Sequence, residues 1–580
     1  MINLKEFEVL RNVAENKIKE KDDTIIKQLI CKGLVSDKLT VTDNGEKLLA
    51  QYKVDNAIIL AAGMSTRFVP VSYELPKGLI SVKGEVLIER IIRQLHEAGV
   101  KEVVVVVGYM MEKFLYLREK YGVKLVVNNE YATKNTHSSI YAAQQYLGNT
   151  YICCSDNYYP ENPFHEYEYH AYYCSIFLPG ISYVERAFTF DEEGLIIDTN
   201  KPSHDQWIMF GHAYYDNNFT KSFVPILNSY YGRDGVEGMY WENVYAENLD
   251  KLFMHIKQCE DGEILEFDSM EELKQFDPDF IRHNKIKIFD NICKTLGCDI
   301  GDISDVETIK RGLNNRSFKF TCKGMDYIYR HPGNNAEGVI DRKKETVSLN
   351  KAKELGIDNT LIYIDENEGW KISKFVNVTE EFDFSNKSHI KLLAESLKKL
   401  HDAKVDVKFS FDYYEEACKL IDYVKKIDRA MYDQLIELKN KVEPVFEVLK
   451  KDRWQISLCH NDIYEPNLLI VGDKLELIDW EFAGNCDIGY DVCKLFTMHN
   501  PDIESVDDWL YDYYKRQTTK REKIHLFACA SLIYFYWFVW SVYESKNDAK
   551  STSYMMSWYD RMNYYTITTL SEIQKIEGDK

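Results

Sequence analysis

Leu458-Cys-His460-Asn461-Asp462-Ile-Tyr-Glu-Pro-Asn467-Leu-Leu-Ile470, followed after a short hairpin by Leu477-Ile-Asp479-Trp-Glu481, is the stretch from which the chain is best read. An Asp with an Asn five residues on, then an Asp preceded by apolar residues, sets one base and two metal ligands around the terminal phosphates of a nucleotide. On this reading Asp462 orients and deprotonates a substrate hydroxyl, while Asn467 and Asp479 hold Mg2+. The surroundings fit a bilobal domain. A hairpin-like stretch (Ser317 to Thr321, Asp326 to Tyr329) and a helix around Glu345 precede a segment that is mostly helical after Phe382.

These motifs resemble the choline and ethanolamine kinases and the related aminoglycoside phosphotransferases, with HND in place of the protein-kinase HRD and IDWEFAG in place of DFG. The resemblance covers about 295 to 575. It implies that Gly312 to Phe318, with Asn314 at its centre, covers the nucleotide phosphates, and that Arg330 in YIYRHPG is the nucleotide-binding basic residue, paired with Glu345. Trp537 and Trp540 lie three residues apart on one helical face, where two indoles would wall a trimethylammonium group by cation–π attraction. An aromatic stripe at that spacing is also what a core helix presents. Since FW-x-x-W occurs in the family, the resemblance favours the cage, with Glu481 and Asp487 adding negative potential.

Working toward the N-terminus, Ala57-Ile-Ile-Leu60-Ala61-Ala62-Gly63-Met-Ser-Thr-Arg67 puts a buried strand directly before a loop of small residues. Backbone N–H groups in such a loop approach phosphates closely. Arg67 adds a fixed charge, and Lys77, after Pro76, is placed to reach the phosphate that changes hands. Apolar runs at 102–107, 124–127 and 151–154, with a helix over 86–98 between the first two strands, predict a mostly parallel α/β sheet over 55 to about 285. Asp156 follows one of these runs, at the carboxyl end of a strand, where open α/β sheets bind ligands.

LAAG-x-x-x-R followed by PK resembles the signature of the sugar-nucleotide and phosphocholine nucleotidyltransferases. The stretches 86–109, NTHSSIYAA (with Ser138) and CCSDNYYPENPF look most like bacterial CTP:phosphocholine cytidylyltransferases. Leu60, Ala61, Ala62, Gly63 and Ser138 would then contact the nucleotide, Asp156 and Glu242 would hold Mg2+, and Tyr240 would face the acceptor. The family places a Trp after Glu in the strand before DEEG as one wall of an aromatic cage. This chain has Glu185-Arg186 there, and Trp207 is the candidate substitute wall. A guanidinium beside a quaternary amine is repulsive, so an acceptor carrying a primary amine or an anionic group stays open.

Residues 1 to about 53 read as three short amphipathic helices, an alternating Lys38 to Thr42, and a closing helix capped by Thr42 or Asp43. This resembles a winged-helix module. Acidic and basic residues roughly balance in it, so a packing or regulatory role is favoured over DNA binding. The whole chain carries a formal net charge of −21, which argues against wholesale nucleic-acid binding but leaves room for nucleotides held by Mg2+ and a few local cations. Thirteen cysteines without a C-x-x-C suggest neither a disulfide framework nor a zinc site, and the histidines of HEYEYH (His165, His170) form no convincing site. The N-terminus lacks an apolar signal core, and no stretch is read as long enough to span a bilayer, which points to the cytoplasm.

The expected architecture is therefore multidomain α/β and α+β: a winged-helix-like module (1–53), a Rossmann-like nucleotidyltransferase sheet (54–288) and a bilobal protein-kinase-like domain (289–580). The expected chemistry is ATP-dependent phosphorylation of choline followed by CTP-dependent cytidylyl transfer to phosphocholine, with Mg2+ at both sites. Ethanolamine or another amino alcohol is the alternative substrate. A DNA-binding regulator that senses choline or CTP is the alternative class.

Overall fold

The computed structural model describes residues 2–17, 23–180, 187–199, 205–309, 315–332, 341–452, 454–544 and 554–578. It divides into two compact units, Met1–Asn291 and Ile292–Lys580.

In the first unit the strand Asn56–Ala61 is buried at every residue and sits within a nine-stranded sheet. Val103–Val107 and Thr150–Cys154 flank it in parallel, and Lys124–Val127 adds a further parallel strand. Ala57, Ile59 and Ala61 share one core with Ile88, Ile91, Ile92 and Leu95 of the helix Leu87–Glu97. Ile58 and Leu60 join the opposite core, with Ile140 and Ala143 of the helix Thr136–Ala143. Cover on both faces is why these strands read as unbroken apolar runs rather than as alternating ones.

The expectation of a mostly parallel sheet needs correction beyond residue 154. Gln206–Tyr215 runs antiparallel to Thr150–Cys154, to Tyr172–Leu178 and to Ala187–Phe190, so the sheet is mixed. This strand is ten residues long and shifts register between Met209 and Ala213, which lets it serve partners that four- or five-residue strands would not reach.

The N-terminal segment forms helices Leu4–Ala14 and Asp23–Cys31, one antiparallel bridge between Val35 and Val41, and a helix Asp43–Leu49. Thr42 caps that last helix by accepting from the Gly45 N–H. Two helices rather than three precede the bridge among the described residues. The rings of Phe7, Tyr52 and Tyr169 pack together at 5.0–5.3 Å, and Arg11 reaches the buried Glu168 at 3.0 Å, so the segment packs onto residues 165–169.

The second unit opens with a five-stranded antiparallel sheet in the order Ile303–Ile309, Asn315–Cys322, Met325–Pro332, Lys371–Lys374, Leu361–Ile364, joined by the helix Arg342–Glu354. A helical lobe follows. Two short antiparallel pairs are set into it, Ile456–Cys459 with Gly484–Asp487 and Leu468–Val471 with Lys474–Leu477. The helix Lys520–Glu544 is, against expectation, long and apolar enough to cross a membrane; 83% of its apolar window is buried inside the unit. Its residues Leu526 to Tyr536 belong to the core, which accounts for apolar side chains on every side of the helix.

Candidate functional site

In the second unit the loop after Ile456–Cys459 is held by one buried carboxylate. Asp491 accepts from the N–H groups of His460 (2.8 Å) and Asn461 (3.0 Å), and the His401 ring lies 3.2 Å from it. Asn461 adopts a left-handed φ of +67°, fixed by its Nδ2 donating to the Phe482 carbonyl and by the Tyr413 hydroxyl donating to its own carbonyl. Asp462 is thereby presented at the loop's tip. Asn467 Nδ2 donates to the Asp462 carbonyl and to its Oδ2, both at 3.0 Å, which leaves the amide oxygen of Asn467 as a ligand.

Asp479, also left-handed at φ +68°, lies 3.5 Å from Arg330. Its buried Oδ1 accepts no hydrogen bond among the described residues. Burial, reinforced by the charge of Asp479, pushes the Asp462 carboxyl up to about 7. Two carboxylates and an amide oxygen converge here with too few donors, and a hard divalent cation such as Mg2+ meets that deficit.

Arg330 and Glu345 form a bidentate pair at 2.5 and 2.9 Å, almost wholly buried, with Arg342 adding a contact to Glu345 at 3.0 Å. Burial raises the Glu345 carboxyl, but the Arg330 charge outweighs it and holds the group down to about 2. Glu481 is drawn into the same cluster, 3.7 Å from Arg342, and burial together with Asp479 pushes its carboxyl up. Its neighbour Phe482 is the residue that reaches the tryptophans, 5.6 Å from Trp537. Trp537 meets Trp540 edge-on at 5.6 Å and Trp558 at 6.0 Å. Tyr536, beside Trp537, packs on Tyr413, so the aromatic cluster adjoins the Asp462 loop. Asn314 lies outside the described residues.

In the first unit Lys77 Nζ is 2.8 Å from Asp156 Oδ2, with Lys77 buried and also over the Phe68 ring at 4.8 Å. Gly78 packs so tightly that a Cβ there would stand 2.7 Å from Ser155 Cβ, which fixes the lysine's backbone against the strand end bearing Asp156. Leu60, Ala61 and Ala62 are buried and Gly63 is exposed, with open space where a Cβ would be. Arg67 turns out to an exposed pair with Asp268 at 2.7 Å. Ser138 is buried; it accepts from Asn128 and donates to the Asn135 carbonyl. Glu242 is buried and accepts from the Tyr173 hydroxyl at 2.9 Å. Tyr240 precedes the helix Trp241–Ala246, half-buried, and Trp207 packs between Phe177 and Phe190 on the neighbouring strands. Glu185 and Arg186 lie outside the described residues. His165 pairs with Glu15, and His170 stacks on His255.

Comparison with known proteins follows this division. A choline-phosphate cytidylyltransferase of Streptococcus pneumoniae is 31% identical over 221 residues, covering 38% of this chain and 96% of the relative. A 2-aminoethylphosphonate cytidylyltransferase of Lancefieldella rimae is 37% identical over 230 residues, covering 39% and 93%. The chain belongs to the cytidylyltransferase family. Residues 57–158 match the MobA-like NTP transferase domain and residues 306–534 match the Choline/ethanolamine kinase family. The solved choline kinase LicA from Streptococcus pneumoniae is 21% identical, covering 49% of this chain and 99% of that one, with a TM-score of 0.42. The polypeptide thus joins a nucleotidyltransferase to a kinase.

Four residues that matter to this cytidylyltransferase–kinase chain escape a linear reading. Asp491, Phe482 and Tyr173 are each distant in sequence from the groups they touch, and Arg342, three residues from Glu345, also reaches Glu481 far along the chain at 3.7 Å. Asp491 had a faint signal, since an Asp in an otherwise apolar Ile488–Val492 run is costly to bury unless it has partners.

Proposed function

We propose that the chain makes CDP-choline in two steps: the kinase transfers the γ-phosphoryl group of ATP to choline, and the transferase joins the resulting phosphocholine to CMP from CTP, releasing pyrophosphate. The observation that carries this reading is the pair of convergent clusters, Asp462 with Asn467 and Asp479, and Lys77 with Asp156. Asn467 and Asp479 in one site, and Asp156 with Glu242 in the other, would hold Mg2+, which would supply charge neutralisation at the phosphates. Asp462 takes the hydroxyl proton of the alcohol, and Arg330, held by Glu345, faces the nucleotide phosphates. Lys77 offsets the repulsion between two anions as the acceptor phosphate attacks the α-phosphorus. Trp537, Trp540 and Phe482 recognise the quaternary amine. Residues 1–53 act as a winged-helix-like packing module, a reading supported by Arg11 pairing with Glu168 and by Phe7 and Tyr52 packing on Tyr169.

The relative with the higher identity acts, by its name, on a phosphonate. A kinase acting on a hydroxyl yields a phosphate ester, with oxygen between phosphorus and carbon. The presence of that kinase on the same chain therefore favours phosphocholine, or phosphoethanolamine, over aminoethylphosphonate as acceptor.

The test is to supply ATP, CTP and Mg2+ with choline, ethanolamine or 2-aminoethylphosphonate and to follow ADP and pyrophosphate separately. Choline should give the fastest ADP release. Asp462→Ala should abolish ADP formation while leaving pyrophosphate release from added phosphocholine intact, and Lys77→Ala should do the reverse. Loss of both activities from either change, or a clear preference for an unmethylated amine, would overturn the assignment.

A further inference from the structure

The core helix Lys520–Glu544 carries His525 and Cys529 one turn apart, both fully buried, opposite Asp487 at the end of the strand Gly484–Asp487. Their ligand atoms all lie within 4.8 Å of one another. Asp487 Oδ2 is 3.0 Å from His525 Nε2, yet neither nitrogen of this buried imidazole makes a hydrogen bond among the described residues. The carboxylate therefore meets the ring off the N–H axis. That arrangement is poor for a donor and acceptor, and it is what two ligands show when they share one ion through bonds of roughly 2.0–2.2 Å.

The three side chains are also held in place. Trp454 stacks on the His525 ring at 3.9 Å, nearly parallel to it, and the Gly489 N–H donates to Asp487 Oδ1 at 2.9 Å. A Cβ on Gly489 would stand 2.8 Å from Cys529 Sγ and 3.1 Å from both Asp487 Oδ1 and His525 Cδ2, so the backbone comes up against all three groups and only glycine fits. The other His–Cys–Asp cluster, His401, Cys459 and Asp491, differs. Both His401 nitrogens there are engaged, by the Tyr513 hydroxyl at 2.8 Å and by Asp491 at 3.2 Å, and Asp491 is committed to the catalytic loop.

We propose that Asp487, His525 and Cys529 bind one divalent transition-metal ion of the zinc class, at a site separate from the magnesium positions. A nitrogen, a sulfur and one carboxylate oxygen suit zinc or cobalt and not magnesium, which takes oxygen ligands only. On binding, the Cys529 S–H bond breaks, the thiolate ligates the ion and the proton leaves to buffer. Asp487 is partly open to solvent and gives the ion an entry edge. The strand ending in Asp487 pairs with Ile456–Cys459, which leads into Asp462, so the ion would pin the base of the catalytic loop to the core helix.

Cobalt(II) is the probe, added to chelator-treated full-length protein in excess Mg2+, because a thiolate ligand gives a charge-transfer absorption that oxygen sites lack. The expected result is one equivalent of cobalt with that band, displaced by zinc, and a rise in Tm on zinc addition. Cys529→Ser should abolish the band, Asp487→Asn should weaken binding at least tenfold, and Cys31→Ser, at an exposed thiol, should change neither. Wild-type protein that binds no cobalt with thiolate character, or a band that survives in C529S, overturns the proposal; the first of these outcomes does not depend on any variant folding.

Discussion

Replacing Glu345 with Gln keeps its shape and removes its charge, leaving Arg330 buried with Asp479 as its nearest remaining carboxylate, at 3.5 Å. The cost can be worked from the structure in two ways. A carboxyl held at about 2 against 4.5 for an unpaired glutamate corresponds to roughly 3 kcal/mol. Removing one partner of a buried ion pair costs about 3–5 kcal/mol. The two routes agree in size. Because the folded-state value is depressed, the stabilisation is fully present above about pH 4.5 and is lost as pH falls through about 2, so the variant should lack that acid-side dependence. Seven of the nine tryptophans lie after Asn291, so urea unfolding followed by tryptophan fluorescence reports mainly on the second unit. We expect its midpoint to fall by an amount equivalent to roughly 3 kcal/mol. Arg330, no longer tethered, should compete for Asp479 and lower ADP formation roughly 100-fold, while pyrophosphate release from added phosphocholine stays at the wild-type rate. A variant with wild-type stability and an unchanged kinase rate would refute the role given to this pair.

Trp537→Ala should raise the KM for choline ~30-fold, the equivalent of about 2 kcal/mol of cation–π attraction, with a smaller effect on ethanolamine; equal effects on both amines in steady-state kinetics would remove the cage. Arg11→Ala takes one of two cations from the buried Glu168, leaving Lys257 at 3.4 Å. Burial raises that carboxyl, but the charges of Lys257 and Arg11 outweigh it and hold it at about 2. The variant should lose about 2 kcal/mol in the first unit and begin acid unfolding at higher pH, followed by hydrogen exchange of Thr150–Cys154; unchanged protection would show that the N-terminal segment does not support this strand. Arg67→Ala should raise the KM for CTP about tenfold without moving Tm, because its partner Asp268 is itself exposed; an unchanged KM would leave Arg67 a surface residue.

The candidate cluster of the second unit could be read from the sequence because its residues are local in the chain, whereas Lys77 and Asp156, 79 residues apart, are brought together by the sheet. Asp462 and Asn467 lie on one loop and Asp479 on the next, and Lys77 follows its small-residue strand turn closely. Spacing along a chain fixes which groups a short turn can bring together, and apolar runs announce strands covered on both faces. The pairing of Arg330 with Glu345 was implied by the kinase resemblance, and the structure joins the two from one strand to the next helix.

Only the tertiary structure decided the rest. The antiparallel half of the first sheet depends on the register shift in Gln206–Tyr215, which no local pattern encodes. The apolar length of Lys520–Glu544 has the same composition whether lipid or protein covers it, and burial within the unit decides between them. Asp491, Phe482 and the Asp487–His525–Cys529 group act across gaps in the chain, where hydrogen bonds and packing depend on coordinates rather than on spacing. Sequence therefore determined the chemistry available to this protein, and folding determined which buried groups hold that chemistry in position.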